Sequence, residues 1–337
     1  MMLNTSVLFG EDFEYMEEAH IEIAQGKTNE VDEGYVPGAF DYKKYFVMPS
    51  FFNAHTHIGD SFAKEAALGL DVSKAVGRKG VKWKLYQNSS RSERISAMRE
   101  TLEYLLSSGT TGFSEFREHG LDGIEELKTA LGRSRMKSII LGRDVDESEC
   151  DGLGLNLYQT EQIPKKRGKI LALHAGEKEG EIEKAFEWKP DVIVHFTKAK
   201  TAEIKEAAKR NISIVVCPRS NSLLSVGFPK VKEMLKAKIN VSIGTDNVML
   251  NQPNMFREME YLSKLSYLFR KPIKPEGVLR MATYNGARAF KINSGLVKKG
   301  MNADLIFIDK NALNLRHTRS MAAAVVHRCE PENVRKV

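Results

Sequence analysis

The sequence predicts an α/β protein: a TIM (β/α)8 barrel with a small accessory β-sandwich built from both termini. Three observations carry this reading. Eight short apolar or β-branched runs alternate with helix-like segments between Phe46 and Ile243. Four of the eight histidines stand at the ends of such runs. The glycine-rich phosphate loops that a doubly wound open sheet wants after its first strand, GxGxxG or GxxxxGK[ST], do not occur.

The runs are 46–55, Thr110 to Phe116, Lys137 to Leu141, Leu153 to Leu157, Ile170 to Leu173, Val192 to Val194, Ile212 to Val216 and Val241 to Ile243. Segments at 92–107, 121–132, 179–187, 201–210 and 229–237 show the apolar spacing of a 3.6-residue period. Before them, Val7 to Phe9 and Tyr15 to Ala24 read as strands, with turns at Gly26, Gly34 and Gly38. That piece is too small to fold alone. Its expected partner is Ala303 to Asp309, a strand after the turn at Gly300. The domains predicted are therefore 1–48 and 296–337 as the two parts of the accessory β domain, and 49–295 as the barrel.

Composition sets limits on function. Hydrophobic residues at 42% and charged residues at 28% are ordinary for a globular protein. The net charge of +7 permits anionic partners without requiring them. No apolar run approaches the roughly 18 residues of a membrane span, and acids arrive before a signal-like core forms, so a cytoplasmic location is expected. The three cysteines, Cys150, Cys217 and Cys329, have no CxxC spacing. Any metal must be held by histidine and carboxylate.

The stretch Phe46 to Asp60, FVMPSFFNAHTHIGD, is the most informative. In an extended strand His55 and His57 project from one side while Thr56 points away. Barrel chemistry sits at the C-terminal strand ends. Those ends carry His55 and His57, then Glu115 and Arg117, Arg143 and Asp144, His174 and Glu177, His195, Pro218 to Asn221, and Asp246. Three imidazoles and a carboxylate converging on one rim suit a zinc-like divalent ion with an open position for water.

Five motifs in order, MPSFFNAHTH, LHAGE, VHF, CPRSNSLLSVG and VSIGTDN, and the return strand GLVKKGMNADLIFID give the chain a resemblance to a known group. From about Tyr45 to Asp309 it resembles the amidohydrolase superfamily, in the branch of the cytosine, guanine and S-adenosylhomocysteine deaminases and the triazine chlorohydrolases. The resemblance implies that His55, His57, His174 and Asp246 bind metal, and that His195 bonds to the metal-bound water or to the tetrahedral intermediate. It implies a proton shuttle at Glu177, with Asp246 taking the water proton. Binuclear members carry a carboxylated lysine on strand four, and Gly152 to Asn156 has none. One divalent metal per chain is expected, zinc first and iron second. The blander readings are that Glu177 is a first-turn helix acid and His195 a buried supporting histidine. His20, His119, His317 and His327 read as surface or packing residues.

The function expected first is hydrolytic deamination of a purine, pyrimidine or related heterocycle. The alternative is hydrolysis of a cyclic amide, as in imidazolonepropionase, or of a carbon–halogen bond by the same site. The third is a basic nucleic-acid-binding protein without catalysis. Arg117, Glu118 and Arg143 are candidate substrate contacts at strand ends. So are Arg78, Lys82 and Trp83, in the segment Lys74 to Arg94, where seven Lys and Arg face the single acid Glu93 and point to an anionic substrate. No membrane and no specific nucleic acid is expected as partner, and homo-oligomerisation is left open.

Overall fold

A computed structural model describes residues 1–77, 79–157 and 168–335. Among the described residues fourteen strands run in chain order as β1 (Met2–Phe9), β2 (Glu14–Ala24), β3 (Lys27–Glu33), β4 (Phe40–Pro49), β5 (Phe51–His57), β6 (Thr110–Arg117) and β7 (Lys137–Gly142), then β8 (Gly152–Asn156), β9 (Ile170–Ala175), β10 (Val192–His195), β11 (Ser213–Val216), β12 (Val241–Ile243), β13 (Asp246–Asn247) and β14 (Leu305–Asp309). They form two sheets. Contacts divide the chain into two compact units: Met1–Phe52 with Leu106–Gly112 and Met255–Val337, and Asn53–Leu105 with Phe113–Asn254.

The larger sheet has the order β12-β11-β10-β9-β8-β7-β6-β5-β13. Its neighbours pair in parallel, for example Val194 with His174 and Asn156 with His174. Only Gly244 and Thr245 separate β12 from β13, so the eighth strand starts against β11 and finishes against β5. The last strand thereby returns to the first, and the architecture is an α/β TIM-like barrel. The helices Arg91–Ser107, Gly120–Leu131, Glu181–Glu187, Thr201–Lys209 and Val231–Lys236 lie within a few residues of the segments predicted from periodicity. Met98, Leu102 and Leu105 on one face meet Ile124 and Leu127 on another, over Phe113 and Ile140. This is the i, i+3, i+4 stripe at work.

Two sequence expectations need correction. The run 46–55 is not one strand. Its first half ends β4 in the smaller sheet and its second half is β5 in the barrel, with the break at Ser50, whose N–H goes instead to Asp304 O at 2.9 Å. Pro49 lacks an N–H for a ladder, which favours a change of partner there; apolar continuity hides it. The smaller sheet, β14-β4-β1-β2-β3, is one layer among the described residues rather than a sandwich of two. The strand count at the termini ignored the helices Met255–Leu268, Pro275–Ala282 and Met321–His327, which belong to the same unit and pack on one another. Val7, Ala19, Ile21, Val47 and Val297 form a core of this unit.

Closure of the barrel needs a glycine at one point. A Cβ on Gly244 would lie 2.6 Å from His55 Cβ and 2.8 Å from His55 N, inside contact distance of backbone that cannot yield. Gly244→Ala is expected to destabilise the protein by about 1–3 kcal/mol, the usual cost of overpacking. Urea unfolding measures it, and an unchanged midpoint and slope would show that the eighth strand has room to move.

Candidate active site

β5 is buried along its whole length. Its alternation holds at the site: Thr56 Oγ1 lies 2.9 Å from Ser114 O and 2.6 Å from Glu115 Oε2, while His55 and His57 turn the other way. His174 is the last residue but one of β9 and meets both. His174 Nε2 lies 3.2 Å from His55 Nε2 and 3.4 Å from His57 Nε2. Asp246 Oδ1 lies 3.2 Å from His55 Nε2 and 3.6 Å from His57 Nε2. Tetrahedral donors about 2.0–2.1 Å from one ion stand about 3.3–3.4 Å apart, so this set can hold a divalent cation.

The electrostatics agree with such a centre. Burial depresses the pKa of His55, and depresses those of His57 and His174 well below the imidazole range, which keeps the rings neutral as ligands must be. Burial opposes ionisation of Asp246, but its bond to His55 and the facing His195 and His57 hold it well below the carboxylate range. Ser220 donates a hydrogen bond to Asp246 Oδ2. Asp246 and His195 both take left-handed backbone, φ +63° and +77°. Such conformations cost energy outside glycine and cluster at functional sites.

His195 and Glu177 form a second pair on the same rim, with Nε2 to Oε1 at 3.9 Å. His195 Nδ1 is 2.9 Å from Asn221 Oδ1. Burial pushes the His195 pKa down, but the Glu177 and Asp246 carboxylates and the Asn221 bond together hold it above the ordinary value. Burial raises the pKa of Glu177. The helix that follows starts only at Glu181, so Glu177 is not in its first turn. Glu181 fills that place: its Oε2 accepts from the N–H groups of Gly176, Glu177 and Lys178 at 2.9, 2.9 and 3.1 Å and shapes the loop.

A cavity of about 240 Å³ is bordered by His57, His174, Glu177, His195 and Asp246, with Lys82, Glu118 and Arg143. This is a little below the usual ~300–1,000 Å³ of ligand pockets and suits a ring system more than a polymer. Lys82 is buried, 2.8 Å from Asp60 Oδ2 and bonded to Glu118. Glu118 Oε1 also lies 3.2 Å from Arg143 Nη1 and 3.9 Å from His57 Nδ1. Burial works against its ionisation, yet Lys82, Arg143 and His57 hold it well below the carboxylate range. Asn247 Nδ2 donates to Asp60 at 2.7 Å.

Other sequence candidates fall elsewhere. Arg117 is 1% exposed and does not border the cavity; it donates to Gly123 O at 2.7 Å and faces Glu126 at 3.2 Å. Trp83 reaches Val76 O at 3.3 Å and packs against His119, away from the cavity lining. Arg78 lies outside the described residues. Four cations of the basic segment meet carboxylates: Lys74 pairs with Asp71, Arg91 with Glu125, and Arg94 with Glu126 at 2.5 Å, beside the Lys82 pairs. Counting charges along the segment misses these acids, since all of them lie outside it. Asp60, Glu115, Glu181 and Asn247 were not singled out as site residues in the sequence. Only the strand-end position of Glu115 offered a signal.

Glu115 holds the end of β5 by accepting from Ile58 N at 2.8 Å and Gly59 N at 3.0 Å as well as from Thr56. Burial raises its pKa to about 7, against the pull of Arg117 and these bonds. A folded pKa above the unfolded one gives stability that is full below about pH 4.5 and is lost as pH rises through about 7. The stability of wild type relative to Glu115→Gln is therefore expected to fall by up to about 3 kcal/mol between about pH 5 and pH 8. Urea titrations across that range check it; a difference flat in pH would mean that Glu115 is ionised throughout.

Comparison with known proteins follows the same lines. Residues 156–337 match the model of the amidohydrolase family. A putative aminohydrolase of Methanothermobacter thermautotrophicus is 31% identical over 86% of this chain and 86% of its own. A 5-methylthioadenosine/S-adenosylhomocysteine deaminase of Thermococcus sibiricus is 25% identical over 99% of this chain and 91% of its own. A zinc-bound adenosine deaminase structure from Xanthomonas campestris superposes with a TM-score of 0.79 at 19% identity, covering 99% of this chain and 90% of that one. With a relative above 30% identity along most of its length and a family model that takes in its second half, the chain belongs to the amidohydrolase family.

Proposed function

We propose that this protein is a metal-dependent aminohydrolase that removes an amino group from a small heterocycle by hydrolysis. One observation carries the reading: His55, His57, His174 and Asp246 converge on one point at the edge of a cavity that Glu177 also borders. The names of the relatives point the same way. In this reading the four converging residues hold a single divalent ion, zinc before iron, since β8 offers no lysine to bridge a second. When bound, the ion supplies a nucleophilic water at neutral pH.

The chain's own residues do the rest. Glu177, whose pKa burial raises, gives a proton to a ring nitrogen as the carbon is attacked; it then passes to the leaving amine the proton that Asp246 takes from the water, and regains one from the hydroxyl as the carbonyl forms. Asp246, ionised and steadied by Ser220, takes a proton from the attacking water. His195 donates Nδ1–H to Asn221, so Nε2 carries a hydrogen only in the imidazolium form, which its raised pKa favours. That N–H then faces the developing negative oxygen.

A cyclic amide or carbon–halogen bond would be hydrolysed by the same groups, and ammonia is the product that separates these readings. The basic segment gives little to the nucleic-acid reading, because its cations at 74, 82, 91 and 94 already face carboxylates. Among the described residues no helix is long and apolar enough to cross a membrane.

Zinc-loaded protein is expected to release ammonia from a member of a purine, pyrimidine and nucleoside panel; silence across the panel with a new product from a cyclic amide would transfer the reading to that class. One tightly held metal per chain is expected by elemental analysis, lost in His55→Ala and in Asp246→Ala. Glu177→Gln is expected to keep the metal and lose turnover by about 10²- to 10⁴-fold. Near wild-type turnover in that variant would take the proton shuttle away from Glu177.

A further inference from the structure

Arg143 follows β7 directly and is 4% exposed. Two of its three nitrogens are engaged: Nε donates to Gly154 O at 3.3 Å, and Nη1 donates to Glu118 Oε1 at 3.2 Å. Nη2 is buried and, among the described residues, meets no acceptor. The residue borders the cavity beside His174, Glu177 and Asn156. A charged donor withdrawn from water without a partner is unfavourable, and folded proteins leave few of them.

The neighbouring charges limit what the partner can be. Lys82 and Arg143 carry two positive charges, Asp60 and Glu118 two negative ones, and the four are bonded among themselves. A further full anion is not needed to balance the wall. A lone pair is.

We propose that Arg143 is the specificity-determining donor of this site, with Nη2 taking a neutral oxygen acceptor on the substrate at a position other than the reacting carbon. The inference rests on the aminohydrolase reading and deepens it by naming a feature of the substrate. Such an oxygen belongs either to a ring carbonyl or to a sugar hydroxyl. Guanine against 2-aminopurine isolates the carbonyl, and adenosine against adenine isolates the sugar.

The test is calorimetric binding of the four compounds to zinc-loaded protein carrying Glu177→Gln, so that ligands persist, with and without Arg143→Met. The oxygen-bearing member of one pair is expected to lose about 10- to 100-fold in affinity, while its oxygen-free counterpart changes less than about threefold. The pair affected names the oxygen. Removing Arg143 alone leaves Glu118 with Lys82 as its one remaining bonded cation in a buried wall and invites misfolding, so Arg143→Met with Glu118→Gln is measured in parallel and is expected to show the same selective loss. Equal losses within both pairs, no loss in either, or no binding of any compound at millimolar concentration overturns the assignment. Ammonia release by the unsubstituted protein is scored separately: its failure removes the reaction, whereas a selective loss at Arg143 stands without it.

Discussion

The crowding of His174 Nε2 to 3.4 Å from His57 Nε2 and 3.2 Å from His55 Nε2 is electrostatically costly to any protonated ring. The scaffold must impose it. β5 delivers two of the rings by strict alternation, with Thr56 and Glu115 holding the opposite side. β9 delivers the third, and the return of the eighth strand to β5 brings in the carboxylate. A site of this kind is pre-organised by backbone pairing rather than by side-chain flexibility, so its geometry is as rigid as the sheet.

Around the centre the polar groups divide by what they do to charge. His195 and Glu177 are each held away from their ordinary titration range, one by neighbouring carboxylates and the other by burial. Both shifts run upward, so each favours the protonated form of its group by a different physical route. The wall made by Asp60, Lys82, Glu118 and Arg143 works differently. Its charges cancel internally, so it offers directed hydrogen bonds without a strong net field.

Much of this was legible in the chain, and the boundary of legibility has physical causes. Strand ends mark themselves, because an apolar run that stops at histidine or aspartate has few structural reasons to do so; hence His55, His57, His174, His195 and Asp246 stood out. Periodicity located helices between the barrel strands but not Met255–Leu268, one of the longest in the chain. What failed was anything decided by a partner remote in sequence. The passage from β4 to β5 leaves the hydrophobic pattern unbroken while the pairing partner changes. Lys82 reads as one more cation in a basic segment until Asp60 and Glu118 are placed beside it. Arg117 sits at a strand end like Arg143, and only the third dimension sends one to Glu126 and the other to the cavity.

The left-handed backbone at His195 and Asp246 sets side chain and torsion against each other. Glycine relieves the torsional cost of such positions most fully, whereas β-branched residues aggravate it. Histidine and aspartate are among the residues that enter this region with least difficulty, yet each still costs more there than glycine. At both positions a change that relaxes the backbone therefore deletes the imidazole or the carboxylate that faces the cavity, so local comfort and the polar lining cannot be improved together.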